Sequence, residues 1–133
     1  MSDQVFFYGT LRTGFNRTTR AGIDDFLKFA GRGWISGKLF DLGIYPAAVP
    51  ANDARVWGEV FEITEPATVL AALDRIEGYR PAEPERSLYN RVRVPATLDD
   101  GRMEHVWVYF YNAPLGRAPR ITSGDYLEHL KNR

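Results

Sequence analysis

A chain of 133 residues, 44% apolar and 14% aromatic, holds enough material for one hydrophobic core and so for a single domain spanning 1–133. Lys plus Arg equals Asp plus Glu at 17 each, which leaves no net field to draw in nucleic acid or an anionic membrane, and a small or neutral partner fits better. With no cysteine and only His105 and His129 as imidazoles, a disulfide framework, a thiolate nucleophile and Cys-based zinc sites are excluded, and no metal is expected.

The N-terminal residues run directly into Val5-Phe6-Phe7-Tyr8 without a basic leader or cleavage signal, so a cytoplasmic location is expected. Residues 4 to 8 read as a strand that stops at Gly9, and 9 to 16 as a loop. Ile23, Phe26, Leu27 and Ala30 recur at helical spacing, which predicts a helix closed by Gly31 and Gly33. A strand is expected over 34 to 41, then a Gly- and Pro-broken loop, Asp41 to Pro46, carrying Ile44 and Tyr45 toward something it lines. Residues 56 to 63 form the next strand. Thr64-Glu65-Pro66 then signals a helix start with Thr64 as the cap, and the helix runs to Glu77, where Gly78 closes it. Tyr89 to Thr97 and 105 to 111 alternate and pair through Asp99-Asp100-Gly101 as a hairpin. Ser123 caps a last helix over 124 to 131. Five or six short strands with these helices give an α+β fold, a small mixed barrel or curled sheet, ahead of a doubly wound parallel sheet.

Chemistry concentrates at two places. On the helix from Pro66 to Glu77, Val69, Leu70, Leu73 and Ile76 make one apolar stripe, and Glu77 falls on it, whereas Asp74 and Arg75 turn to the polar flank. A carboxylate at a helix C-terminus, where free carbonyls already carry negative charge, is disfavoured in its ionised form, and so is one half removed from water. Both effects raise proton affinity toward what an acid/base group near neutrality needs. The alternative is an ordinary ion pair with Arg80, Arg91 or Arg93, or a helix that ends one turn earlier and leaves the acid solvated. The second place is Gly9, where close backbone approach lets the amides of the following residues converge on an anion; an ordinary strand-to-loop turn fits the same residues. A nucleotide loop does not, because Gly14 is followed by Phe15 and Asn16.

The last strand alternates His105, Trp107, Tyr109 and Tyr111 with Val106, Val108 and Phe110. The second set is core, and the first, with Tyr8 and Tyr45, is either the wall of an aromatic pocket or a second core. Arg91 and Arg93 share a face of the neighbouring strand, solvated or paired with Glu59 and Glu62.

In series, Tyr8-Gly9-Thr10-Leu11-Arg12, Gly37 to Pro46, Trp57-Gly58-Glu59-Val60-Phe61, Leu73-Asp74-Arg75-Ile76-Glu77-Gly78-Tyr79, Tyr89-Asn90-Arg91 and Trp107-Val108-Tyr109 resemble the gamma-glutamylcyclotransferase-like superfamily, in particular its gamma-glutamylamine cyclotransferase branch. Thr10 stands where some relatives carry serine. The resemblance implies a small mixed barrel whose Tyr8, Gly9, Thr10 and Leu11 bind the α-carboxylate of a gamma-glutamyl group; Tyr45 and Tyr111, from the aromatic set, are expected at the substrate as well. It implies Glu77 as catalytic acid/base for release of 5-oxoproline, with no cofactor, in a monomer or homodimer. A ligand-binding or regulatory module using the same pocket is the alternative.

Overall fold

The computed structural model describes residues 3–9 and 22–131. Within them the strands are β1 (Asp3–Phe7), β2 (Leu27–Ser36), β3 (Lys38–Asp41), β4 (Pro46–Val49), β5 (Arg55–Ile63), β6 (Tyr89–Leu98) and β7 (Met103–Tyr111), with helices α1 (Pro66–Glu77) and α2 (Tyr126–Lys131). Five strands close into a barrel in the order β1-β5-β2-β6-β7, and β3 and β4 form a separate two-stranded hairpin. The barrel is mixed: β7 returns to β1 through a parallel bridge between Val5 and Trp107, whereas its other pairings are antiparallel. The α+β barrel read from the sequence is the architecture found.

Period-two alternation divides each barrel strand between two cores. Val106, Val108 and Phe110 join Phe6, Tyr8, Ile35, Val56 and Val60 in one cluster. Trp107, Tyr109 and Tyr111 belong to the other, with Val5, Phe7, Ile63 and Tyr89, and α1 covers this second cluster with Val69, Ala72 and Leu73. Trp107, Tyr109 and Tyr111 on β7 are thus part of a second core, and Tyr109 with Tyr8 and Tyr45 also walls a cavity. Burying a side chain such as Leu73, fully sequestered here, is worth about 1.5–3 kcal/mol, so this face fixes α1 to the barrel.

Three local expectations are corrected. Residues 23 to 30 do not form an α-helix: a 3-10 turn, Asp24–Phe26, leads into β2 at Leu27. Ile23, Phe26 and Leu27 still reach the core under α1, and a register shift between Phe29 and Gly31 sends Ala30 to the barrel cluster. Gly31 and Gly33 are not helix stops. A Cβ on Gly33 would lie 2.5 Å from the Thr97 carbonyl oxygen and one on Gly31 3.1 Å from Leu98, so these glycines let β6 approach β2. The expected single strand over 34 to 41 is two, broken at Gly37.

Thr64 does not cap α1. The residue before Pro66 is Glu65, left-handed at φ 55° with no side-chain cap, and Thr64 Oγ1 donates instead to the Phe26 carbonyl at 3.3 Å. Ser123 likewise yields to Asp125, whose Oδ1 accepts from the amides of Leu127 and Glu128. The other end of α1 is as expected: Gly78 is left-handed at φ 65°, Tyr79 N–H donates to the Asp74 carbonyl at 2.9 Å and Gly78 N–H to that of Arg75 at 3.4 Å. This pair of bonds is a Schellman closure, and it makes Glu77 the last helical residue.

Candidate active site

Strand β1 delivers Phe7, Tyr8 and Gly9 to one end of the barrel because β5 lies unusually close along it. A Cβ on Gly58 would stand 2.3 Å from the Phe7 carbonyl oxygen and 2.7 Å from the Phe6 ring. At the same end α1 stops at Glu77, β6 begins at Tyr89 and the β3–β4 hairpin presents Tyr45 and Pro46. These segments enclose a cavity of about 100 Å³ lined by Phe6, Phe7, Tyr8, Gly9, Tyr45, Pro46, Ile76, Glu77, Leu88, Tyr89 and Tyr109.

Of the residues singled out in the sequence, Glu77, Tyr8, Gly9 and Tyr45 therefore meet in one cavity, three of them from separate elements and loops. Thr10 and Leu11 lie outside the described residues. Tyr111 stands one ring back from the cavity, edge-on to Tyr89 with centroids 5.2 Å apart, and supports the wall rather than forming it. Gly9 has a steric reason of its own, since a Cβ there would meet Pro46 Cγ at 2.8 Å and Cδ at 3.0 Å.

Three phenols of the cavity are tied down. Tyr8 is buried, donates its hydroxyl to the Tyr109 carbonyl at 2.5 Å and accepts the Ala48 amide at 3.4 Å. Tyr89 donates to the Pro46 carbonyl at 3.0 Å, which joins β6 to the start of β4. Burial first, and then the negative charge of Glu77, pushes the Tyr8 phenol well above the usual tyrosine range. The Tyr109 phenol is raised by burial, by its hydrogen bond to Asp74 and by the charges of Asp74 and Glu77, with Arg91 opposing. Glu77, half-buried, thus acts electrostatically on two phenols across the same space.

Sequence reasoning set Asp74 on the polar flank of α1 and overlooked it. Its carboxylate is 14% exposed, accepts the Tyr109 hydroxyl at 2.7 Å and pairs with Arg91 Nε at 3.1 Å. The Arg91 guanidinium also lies over the Trp107 ring at 4.8 Å. In the sequence Arg91 shares a strand face with Arg93, but Asp74 sits on a remote segment and no local spacing announces the pair.

The arrangement suits proton transfer within a partly open, aromatic-walled space. The chain matches the family model described as "Gamma-glutamyl cyclotransferase, AIG2-like" over residues 5–128. It belongs to that family. Among relatives, the gamma-glutamylcyclotransferase family protein YtfP of Escherichia coli K12 is 35% identical over 94 residues, 71% of each chain. Among solved structures of the cyclotransferase fold, the mouse AIG2-like protein superposes with TM-score 0.71 at 23% identity, covering 94% of this chain and 88% of that one. YkqA from Bacillus subtilis gives TM-score 0.71 at 24% identity over 100% of this chain, which corresponds to 44% of YkqA.

Proposed function

We propose that this family member is a gamma-glutamyl cyclotransferase that releases 5-oxoproline from a small gamma-glutamyl amine or peptide, with Glu77 as general acid/base. The observation that carries the reading is the cavity that Glu77 shares with Tyr8 and Gly9, just past β1; it supports a proton acceptor working beside a segment whose peptide N–H groups suit a carboxylate. In this reading Tyr8, Gly9, Thr10 and Leu11 hold the α-carboxylate, and Tyr45 packs along the glutamyl chain.

The reaction is internal to the substrate. Its α-amine attacks its own γ-carbonyl carbon, a C–N bond forms to close the five-membered lactam, and the original C–N bond to the leaving amine breaks. The α-ammonium gives up two protons on becoming the lactam N–H, and the departing nitrogen gains two on becoming an ammonium. Glu77 relays between the two nitrogens, each transfer within the same cavity. Because nucleophile and electrophile share one molecule, holding the chain in its folded conformer removes most of the entropic barrier, and a compact pocket of this kind has that task.

The test is incubation of the protein with a panel of gamma-glutamyl amines, gamma-glutamyl amino acids and glutathione, with 5-oxoproline and free amine quantified by mass spectrometry. Equimolar lactam and amine from at least one compound is expected. A panel that binds yet yields no lactam would make the protein a binding module instead.

A further inference from the structure

Three of the four tyrosines lining the cavity, Tyr8, Tyr89 and Tyr109, direct their phenol protons to the protein. Tyr8 gives its proton to the Tyr109 carbonyl, Tyr89 to the Pro46 carbonyl and Tyr109 to Asp74 Oδ1. A phenol whose proton is held by the protein presents only oxygen lone pairs. Tyr109 differs from the other two in that its acceptor is a charged side chain, shielded to 14% exposure and itself held by Arg91. Asp74 is not among the residues lining the cavity, whereas Tyr109 is. It lies three residues before Glu77, so the two acids project from neighbouring positions on the last turns of α1. The hydrogen bond of Asp74 to Tyr109 is its direct link to a residue of the cavity wall.

We propose that Asp74 is a positioning residue which, by holding the Tyr109 hydroxyl proton, makes the Tyr109 oxygen a hydrogen-bond acceptor for the α-amine of the gamma-glutamyl substrate. The inference rests on the cyclotransferase reading for the identity of the ligand, but the amine subsite itself does not require turnover. An α-ammonium carries three N–H donors. Glu77 takes one proton, the Tyr109 oxygen holds a second N–H, and the lone pair uncovered by the transfer is steered to the γ-carbonyl. No proton passes to Tyr109. Were Asp74 absent, the Tyr109 hydroxyl would swing its proton toward the nearest remaining anion, Glu77, and compete with the substrate for it.

The experiment measures binding in the Glu77→Gln background, so that no ligand is consumed, by calorimetry with two probes. One is gamma-glutamyl-n-propylamide and the other is its des-amino analogue, N-propyl glutaramate. The parent should prefer the amine-bearing probe by about ten- to a hundredfold, the range expected for a hydrogen bond to a charged group. Tyr109→Phe and Asp74→Ala should each abolish that preference while changing affinity for the des-amino probe by no more than about twofold, and combining them should add nothing. Asp74→Asn, which keeps an acceptor oxygen, should restore part of the preference and serves if the alanine variant does not fold. A preference that survives Tyr109→Phe, an equal loss for both probes in Asp74→Ala and Asp74→Asn, additive effects, or an absence of any preference in the parent would each overturn the proposal. Intact preference without lactam from the unsubstituted protein would instead refute the cyclisation and leave the amine subsite standing.

Discussion

Tyr8 and Glu77 line one cavity from separate segments, and the Glu77 charge adds to burial in keeping the Tyr8 hydroxyl protonated. The tyrosine is the residue that follows the barrel's first strand, and the glutamate is the last residue of α1, which covers the second core. Their meeting depends on how α1 docks, and the predictions below follow from that dependence.

The alkaline limit of stability should report the two raised phenols. For Tyr8 and Tyr109 the folded state holds the proton more tightly than the unfolded chain, so their contribution is fully present below pH of about 10, the unfolded value, and declines as pH rises beyond it. Two such groups steepen the loss of unfolding free energy to about 2.7 kcal/mol per pH unit, twice the single-group slope. Ultraviolet titration should show Tyr8 and Tyr109 within a set of tyrosines that ionises only as the protein unfolds, and Tyr109→Phe should make that set smaller by one.

Leu73→Ala tests the docking of α1. Leu73 is fully buried between the helix and the barrel, and truncation at such a site costs about 2–5 kcal/mol through lost burial and the cavity left behind. Denaturant unfolding should give a loss in that range. Ala71→Ser, at an exposed position of the same helix, should fall within about 0.5 kcal/mol of the parent.

Two glycines should respond in graded fashion. Gly58→Ala forces a methyl to 2.3 Å from the Phe7 carbonyl, backbone against backbone between two paired strands, where neither side yields. Gly9→Ala meets the edge of the Pro46 ring at 2.8 Å, which a shift of the β3–β4 hairpin relieves at about 1–3 kcal/mol, in the range of ordinary overpacking. Thermal unfolding should place Gly58→Ala well below Gly9→Ala, and Gly9→Ala should lose ligand affinity out of proportion to its stability because Pro46 lines the cavity.

The helix of the site was legible because its signals are local. Pro66 at the start, apolar residues at helical spacing and Gly78 at the end bracket α1 as found, Pro66–Glu77. The β6–β7 hairpin was legible for the same reason, since Asp99-Asp100-Gly101 sits between alternating runs. The segment from Ile23 to Ala30 misled because its four apolar residues serve two cores on either side of a bulged strand, and that spacing coincides with a helical stripe. Gly31 and Gly33 reinforced the error: a glycine required by β6 across the sheet looks, in sequence, like one required by a helix end. Asp74 was missed on similar grounds, because its partners Tyr109 and Arg91 come from strands far along the chain. Long-range pairing overrides local pattern at these places.

The most direct measurement is the rate of 5-oxoproline formation by Glu77→Gln, read beside its ligand affinity and thermal midpoint, on whichever gamma-glutamyl compound the unsubstituted protein converts fastest. The substitution keeps size and polarity but cannot exchange a proton, so the rate should fall on the order of 10²- to 10⁴-fold, with the midpoint held and ligand still bound. A variant that forms lactam within a fewfold of the parent rate would contradict the assignment of Glu77 as the acid/base.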